Sequence, residues 1–207
     1  IFHFLFRDIL GMPFRITTDR SEFVMHGGPK FSYAHHPIGD ELFFQSRGLL
    51  SESGINEQNI SVSDWEGLKI FFSAGKVSAL PFDPFSAAFY LVSRYEEYLP
   101  YLRDSYDRFE TKESLAYQNQ FIHQPIVDQY ALRVKEIILK RFPEVKFTER
   151  KYKYISTIDI DNAFAYKEKG LVRVLGGYAR SLYQFDFKEI GERLRVFAGM
   201  EKDPYDT

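Results

Sequence analysis

Tyr154-Ile155-Ser156-Thr157-Ile158-Asp159-Ile160-Asp161-Asn162 runs from apolar and β-branched residues into two carboxylates one residue apart. In a strand, side chains alternate, so Asp159 and Asp161 share one face while Ile158 and Ile160 take the other. Acids at the C-terminal end of a buried parallel strand lie where α/β folds place their chemistry. Two carboxylates this close repel each other unless a cation or a proton holds them. One reading is therefore a metal or acid/base site. The other is a strand end whose Asp residues cap the next helix or meet a Lys or Arg, and D-x-D by itself does not separate the two.

Outward from this stretch, Val145–Thr148 and Tyr152–Asp159 read as strands separated by the charged turn Glu149-Arg150-Lys151. A domain boundary is expected near residue 150, giving domains 1–150 and 151–207. Beyond Asp161 the pattern is helical, with Gly170–Tyr183 and Phe187–Met200 as helices and Gly176-Gly177 weakening the first. Upstream, Asp83 can cap a helix that Pro84 begins. Phe85, Ala88, Phe89, Val92 and Tyr95 fall at helical spacing on its expected buried face. Residues 100–112 read as a loop, followed by a short helix around Glu113–Gln118 and a long one over Val127–Arg141 that ends before Pro143. Phe2–Leu10 reads as a helix stopped by Gly11 and Pro13. Phe14–Thr17, Glu22–Met25, Lys30–His35 and Glu41–Gln45 read as short strands divided by turn residues, with further extended stretches at Asn59–Val62 and Leu68–Phe72. That succession predicts a meander, hence a largely antiparallel sheet with helices: an α+β domain.

Composition excludes several classes. The charge of -2 and the interspersed acids give no basic stripe for nucleic acid. No apolar run approaches the ~20 residues of a membrane span. With no cysteine, disulfides and thiolate metal sites are ruled out, and the redox compartment stays open. The 21 Phe and 14 Tyr predict a core and surface rich in rings, with stacking on carbohydrate as the functional alternative. The chain starts at Ile1 and stops after Asp203-Pro204-Tyr205-Asp206-Thr207 without a closing element, which reads as a fragment cut at both ends.

Thr157-Ile158-Asp159-Ile160-Asp161 resembles the first motif of the polysaccharide deacetylases with a NodB-type catalytic domain, in the variant with one residue between its acids. Leu80-Pro81-Phe82-Asp83, Ser93-Arg94-Tyr95-Glu96-Glu97-Tyr98, Arg108-Phe109, Glu113-Ser114-Leu115-Ala116-Tyr117 and Pro125-Ile126-Val127-Asp128 are similar to the uncharacterised N-terminal domain that precedes it in some bacterial members. The resemblance implies that residues 151–207 begin a (β/α) barrel of NodB type. It implies hydrolysis of acetyl groups on a carbohydrate substrate, with Asp159 as catalytic base and Asp161 binding a divalent metal, usually zinc. In the family two further ligands come from an H-x-x-x-H motif after the acids. Here His3, His26, His35, His36 and His123 all precede them, and none makes that motif. The fragment alone is therefore expected to hold no metal and to be inactive. The rival reading is a non-catalytic accessory or glycan-binding module with a structural Asp pair.

Other constellations read as structural. Adjacent His35 and His36 face opposite sides of a strand and do not converge on one ion. Arg94, Glu96 and Glu97, with Asp104, Asp107 and Arg108 beyond, read as ion pairs tying helix to loop rather than a polar pocket. Gly27-Gly28-Pro29 lacks the context of a phosphate loop, and the serine clusters lack a histidine partner.

Overall fold

The structure, a computed structural model, describes residues 1–148, 151–157, 159 and 163–206. It falls into two compact units, Ile1–Lys151 and Tyr152–Thr207.

The first unit is α+β with two small sheets. A π-helical segment, Phe4–Ile9, buries Leu5, Phe6 and Ile9. Helix α1, Arg20–Met25, follows, with Asp19 accepting from the N–H of Ser21 at 2.7 Å. Strands β1, Phe31–Ala34, and β2, Leu42–Gln45, pair in parallel with Phe31 opposite Leu42. Strands β3, Ser63–Trp65, and β4, Leu68–Ile70, form an antiparallel hairpin. Its two-residue turn has positive φ at Glu66 (48°) and Gly67 (79°), the turn whose twist suits paired strands. Helix α2 is Pro84–Val92, α3 is Leu115–Gln118 and α4 is Ile126–Arg141.

Several expectations fail in this unit, and Val145–Thr148, expected as a strand, forms none. The pairing of β1 with β2 is parallel, not antiparallel. Glu41 folds the connecting turn onto itself by accepting from the N–H groups of Ile38 (2.8 Å) and Gly39 (2.7 Å). The other edge of β2 is also used, since Ala79 N–H donates to the Phe43 carbonyl at 2.8 Å. Glu22–Met25 is helical rather than extended, because the Asp19 cap outweighs three apolar residues in a row. Phe14–Thr17 is not a strand.

Helix α2 starts where Asp83 and Pro84 place it, and the Asp83 carboxylate accepts from Phe85 N–H and Ser86 N–H, both at 3.0 Å. Its buried face differs from the expected one. Val92 is 47% exposed and Phe89 only partly buried, while Phe85, Ala87 and Ala88 are fully buried. The Phe85 ring sits among those of Phe2 (4.8 Å), Tyr33 (5.1 Å), Phe44 (5.4 Å), Phe6 (6.1 Å) and Phe31 (6.1 Å). Much of the phenylalanine excess is thus core. Helix α4 joins through Tyr130, whose ring meets Phe82 at 4.9 Å and whose hydroxyl donates to the Lys69 carbonyl.

In the second unit, residues 152–157 and 159 form no strand, contrary to the Tyr152–Asp159 expectation; 158 and 160–162 lie outside the described residues. A strand is held by partners for its N–H and C=O groups, and this stretch pairs with no strand among the described residues. Tyr154 and Ile155 are exposed accordingly. Helices α5, Leu171–Tyr183, and α6, Phe187–Phe197, pack on each other. Arg193 is buried between them, 2.8 Å from Glu189, with its guanidinium over the rings of Tyr166 (4.9 Å) and Tyr178 (5.1 Å). Gly177 gives it room: a methyl there would overlap the guanidinium, whereas Gly176 faces open space. Asp203 closes the unit, accepting from the N–H groups of Ala165 (2.6 Å), Tyr166 (2.8 Å) and Lys167 (3.1 Å).

Two measurements test this packing. Phe85→Ala should cost roughly 3–5 kcal/mol in urea denaturation and Phe89→Ala clearly less; equal losses would make Phe89 as central as Phe85. Gly176→Ala should stabilise α5 by about 0.5–1 kcal/mol through helix propensity. Gly177→Ala should instead destabilise it, because Arg193 has to leave its place between the two tyrosines. A gain from both substitutions, read by thermal melting, would remove the steric role of Gly177.

Candidate functional site

Asp159 is exposed on the irregular segment after Lys151, and Asp161 lies outside the described residues. The structure therefore does not bring the two acids together or apart. Among the described residues no group of three or more His, Asp or Glu side chains could hold a metal ion. The histidines serve locally. His3 packs on Phe14 at 5.0 Å, the His26 imidazole lies against Gly28, and His35, His36 and His123 are exposed. Also among the described residues, no helix is long and apolar enough to cross a membrane.

A cluster of polar and aromatic side chains outside the core starts at the end of α2. Arg94 leaves the helix in the left-handed conformation (φ 52°), which turns the chain into the short 3-10 helix Tyr95–Tyr98. Tyr95 faces inward. Its ring stacks on Tyr90 at 5.4 Å, and its hydroxyl accepts from Asn56 N–H (2.8 Å) and donates to the Asn56 carbonyl (3.1 Å). Arg94 pairs with Glu97 on the outside. Glu96 reaches under the chain and accepts the Leu115 N–H at 2.8 Å, fixing the start of α3.

Burial, reinforced by the neighbouring Glu97, raises the Glu96 carboxyl above its ordinary range, against the opposing pull of the Leu115 N–H and Arg94. Burial, with the Glu96 charge next, pushes the Tyr90 phenol up to about 12.

From Leu99 to Glu110 the chain forms a cinched loop. Asp104 N–H donates to the Arg108 carbonyl at 2.8 Å, and the Asp104 carboxylate accepts from Tyr106 N–H (2.8 Å) and Arg108 N–H (2.9 Å). Asp107 takes the left-handed conformation (φ 63°) that the reversal requires. The ion pairs expected here exist, but they are local: Arg103 with Asp107 at 2.6 Å and Arg108 with Asp104 at 3.0 Å. The tie from helix to the chain beyond the loop is the Glu96–Leu115 hydrogen bond instead. Rings alternate with these pairs. Tyr101 meets the edge of Phe109 at 5.1 Å with Arg103 over it at 5.7 Å, and Arg108 lies 4.8 Å from the Tyr106 centroid. The aromatic-basic spacing Tyr101-x-Arg103 and Tyr106-x-Arg108 was the available sequence signal for this arrangement. It is hidden in a stretch whose polarity and Pro100 mark it only as a loop.

Residues 1–143 match the family of unknown function DUF7033, and the chain belongs to that family. No curated protein matches the chain, and no solved structure does.

The raised Glu96 carboxyl gives a pH signature. Its neutral form is favoured by folding, so its contribution is full below the unfolded carboxyl range and is lost as pH rises through its raised value. Glu96→Gln keeps an acceptor for Leu115 N–H without the charge. The variant should melt above the wild type at neutral pH and together with it in acid, read by calorimetry across pH. A variant less stable at neutral pH would show that the charge itself is needed.

Proposed function

We propose that the chain belongs to a carbohydrate deacetylase, a hydrolase that removes N-acetyl or O-acetyl groups from a polysaccharide, with residues 151–207 as the start of its NodB-type barrel. The observation that carries this reading is the Thr157-Ile158-Asp159-Ile160-Asp161 pattern, placed in a second compact unit after the DUF7033 region. Exposed Asp159 is open to solvent, as a base that takes a proton from an attacking water must be. Asp161 is assigned one position on a divalent ion. Tight zinc binding takes about four ligands, at least three of them from protein. The described residues do not by themselves supply that set.

A second reading is a glycan-binding module without catalysis. It is favoured by the exposed rings beside paired guanidinium and carboxylate groups in the loop after α2.

The test is acetate release from acetylated glycans by the natural full-length gene product, with metal content measured in parallel. Asp159→Asn should lose about 10²–10⁴-fold in turnover and keep its metal. Asp161→Asn should lose metal. Near-normal turnover in Asp159→Asn would sink the assignment. If both substitutions spared metal and rate but lowered stability, the pair would be a cap or an ion-pair element.

A further inference from the structure

The loop from Tyr98 to Phe109 combines features that a structural turn does not need. Tyr98 is 67%, Leu102 70% and Tyr106 76% exposed, within nine residues of one another. Exposed rings cost nothing when mobile, but here the backbone from Arg103 to Phe109, which carries Tyr106, is fixed by the Arg103–Phe109 bridge and the hydrogen bonds at Asp104. Arg108 backs the Tyr106 ring, and most of that side chain remains open to solvent. An exposed tyrosine on a fixed backbone, as Tyr106 is, is an amphipathic contact surface part of whose ordering cost has been met before a ligand arrives.

We propose that this loop is a binding platform for a neutral pyranose polysaccharide, a site on the DUF7033 region itself and separate from the Asp159 motif. Three observations select that chemistry. The flat rings of Tyr98 and Tyr106 offer apolar faces to the C–H side of a sugar ring. Arg108 and Asp104 are spent on each other and on the loop, but Arg103 and Asp107 share a single hydrogen bond, which leaves guanidinium N–H donors and a carboxylate oxygen for vicinal hydroxyls at the rim. Two Arg against two Asp leave the loop without net charge, which disfavours phosphate, nucleic acid or a strongly acidic polymer as the ligand. Rigidity suits a repeating polymer, because each added sugar meets a surface that does not have to rearrange. The inference rests on the carbohydrate reading for the ligand class, but not on catalysis.

The experiment is affinity electrophoresis of the 207-residue chain through native gels containing one of three probes: acetylated xylan, hydroxyethyl cellulose or glycol chitin. At least one probe should retard the wild type. Tyr106→Ala and Tyr98→Ala should each weaken that retardation by about tenfold, equivalent to about 1.4 kcal/mol. Their melting temperatures should match the wild type, since both side chains are mostly exposed. Tyr106→Phe keeps the ring face and should retain binding.

No retardation by any probe overturns the proposal, as does retardation that both alanine variants leave unchanged. Retardation abolished by about 0.5 M salt would mean charge adhesion and overturns it too. The outcomes separate from the deacetylase reading. Tyr106-dependent binding without acetate release from the full-length product keeps the platform and removes the enzyme. Acetate release without retardation does the reverse.

Discussion

The Asp83 side chain is fully buried, and its two oxygens fix different parts of the first unit. One oxygen takes the N–H groups of Phe85 and Ser86 and so starts α2. The other takes the Tyr33 hydroxyl from β1 and the Arg47 N–H after β2, both at 2.8 Å. Its own N–H donates at 2.9 Å to the carbonyl of Phe72, a residue held in the left-handed conformation (φ 58°). A buried carboxylate without partners would cost several kcal/mol in desolvation. With four donors it becomes a junction at which helix, parallel pair and the strand-to-helix connection have to meet in one geometry. The Tyr33 phenol, pushed up by burial and then by the Asp83 charge, stays protonated and remains a donor.

That junction sets the direction of α2, and the direction puts Phe85 at the centre of the ring cluster. Five neighbouring rings within about 6 Å bury far more apolar surface than the hydrogen bonds could replace in energy. Burying a single Phe is worth about 1.5–3 kcal/mol against about 1 kcal/mol net for an ordinary hydrogen bond. The rings supply the driving force. The Asp83 bonds decide which of many ring-packed arrangements is reached.

Local chemistry carried the parts of this fold that sequence made legible. The Asp83-Pro84 start of α2, the long α4 and the positions of α5 and α6 follow from caps, breakers and periodicity confined to a few residues. The misreadings share a different cause. Turn residues between β1 and β2 announce a reversal, but the direction of pairing depends on Glu41 and on the contact with Ala79, which lies far along the chain. The buried face of α2 is set by where Asp83 holds it, so Val92 turns outward although its spacing fits the stripe. Asp19 followed by Glu22 was a legible helix start that the apolar run Phe23-Val24-Met25 masked. In the second unit the Gly176-Gly177 pair looks like a weakness in α5, and only the place of Arg193 shows why one of the two glycines is required.

At the Asp159 and Asp161 positions the sequence supplies residue types alone. A sequence motif names acids, whereas chemistry depends on what stands around them, and Asp159 has no cluster of ligands about it among the described residues. The loop after α2 is the opposite case. Its motif value is low, because Tyr, Arg and Asp are common in loops, yet its geometry is specific. Left-handed Arg94 aims the chain outward, buried Tyr95 and half-buried Glu96 anchor its base from two sides, and Asp104 cinches the reversal. Anchoring and cinching fix the backbone that carries the exposed rings. The first unit thus uses polar contacts at the base and waist of this loop to hold an exposed stretch of backbone in place.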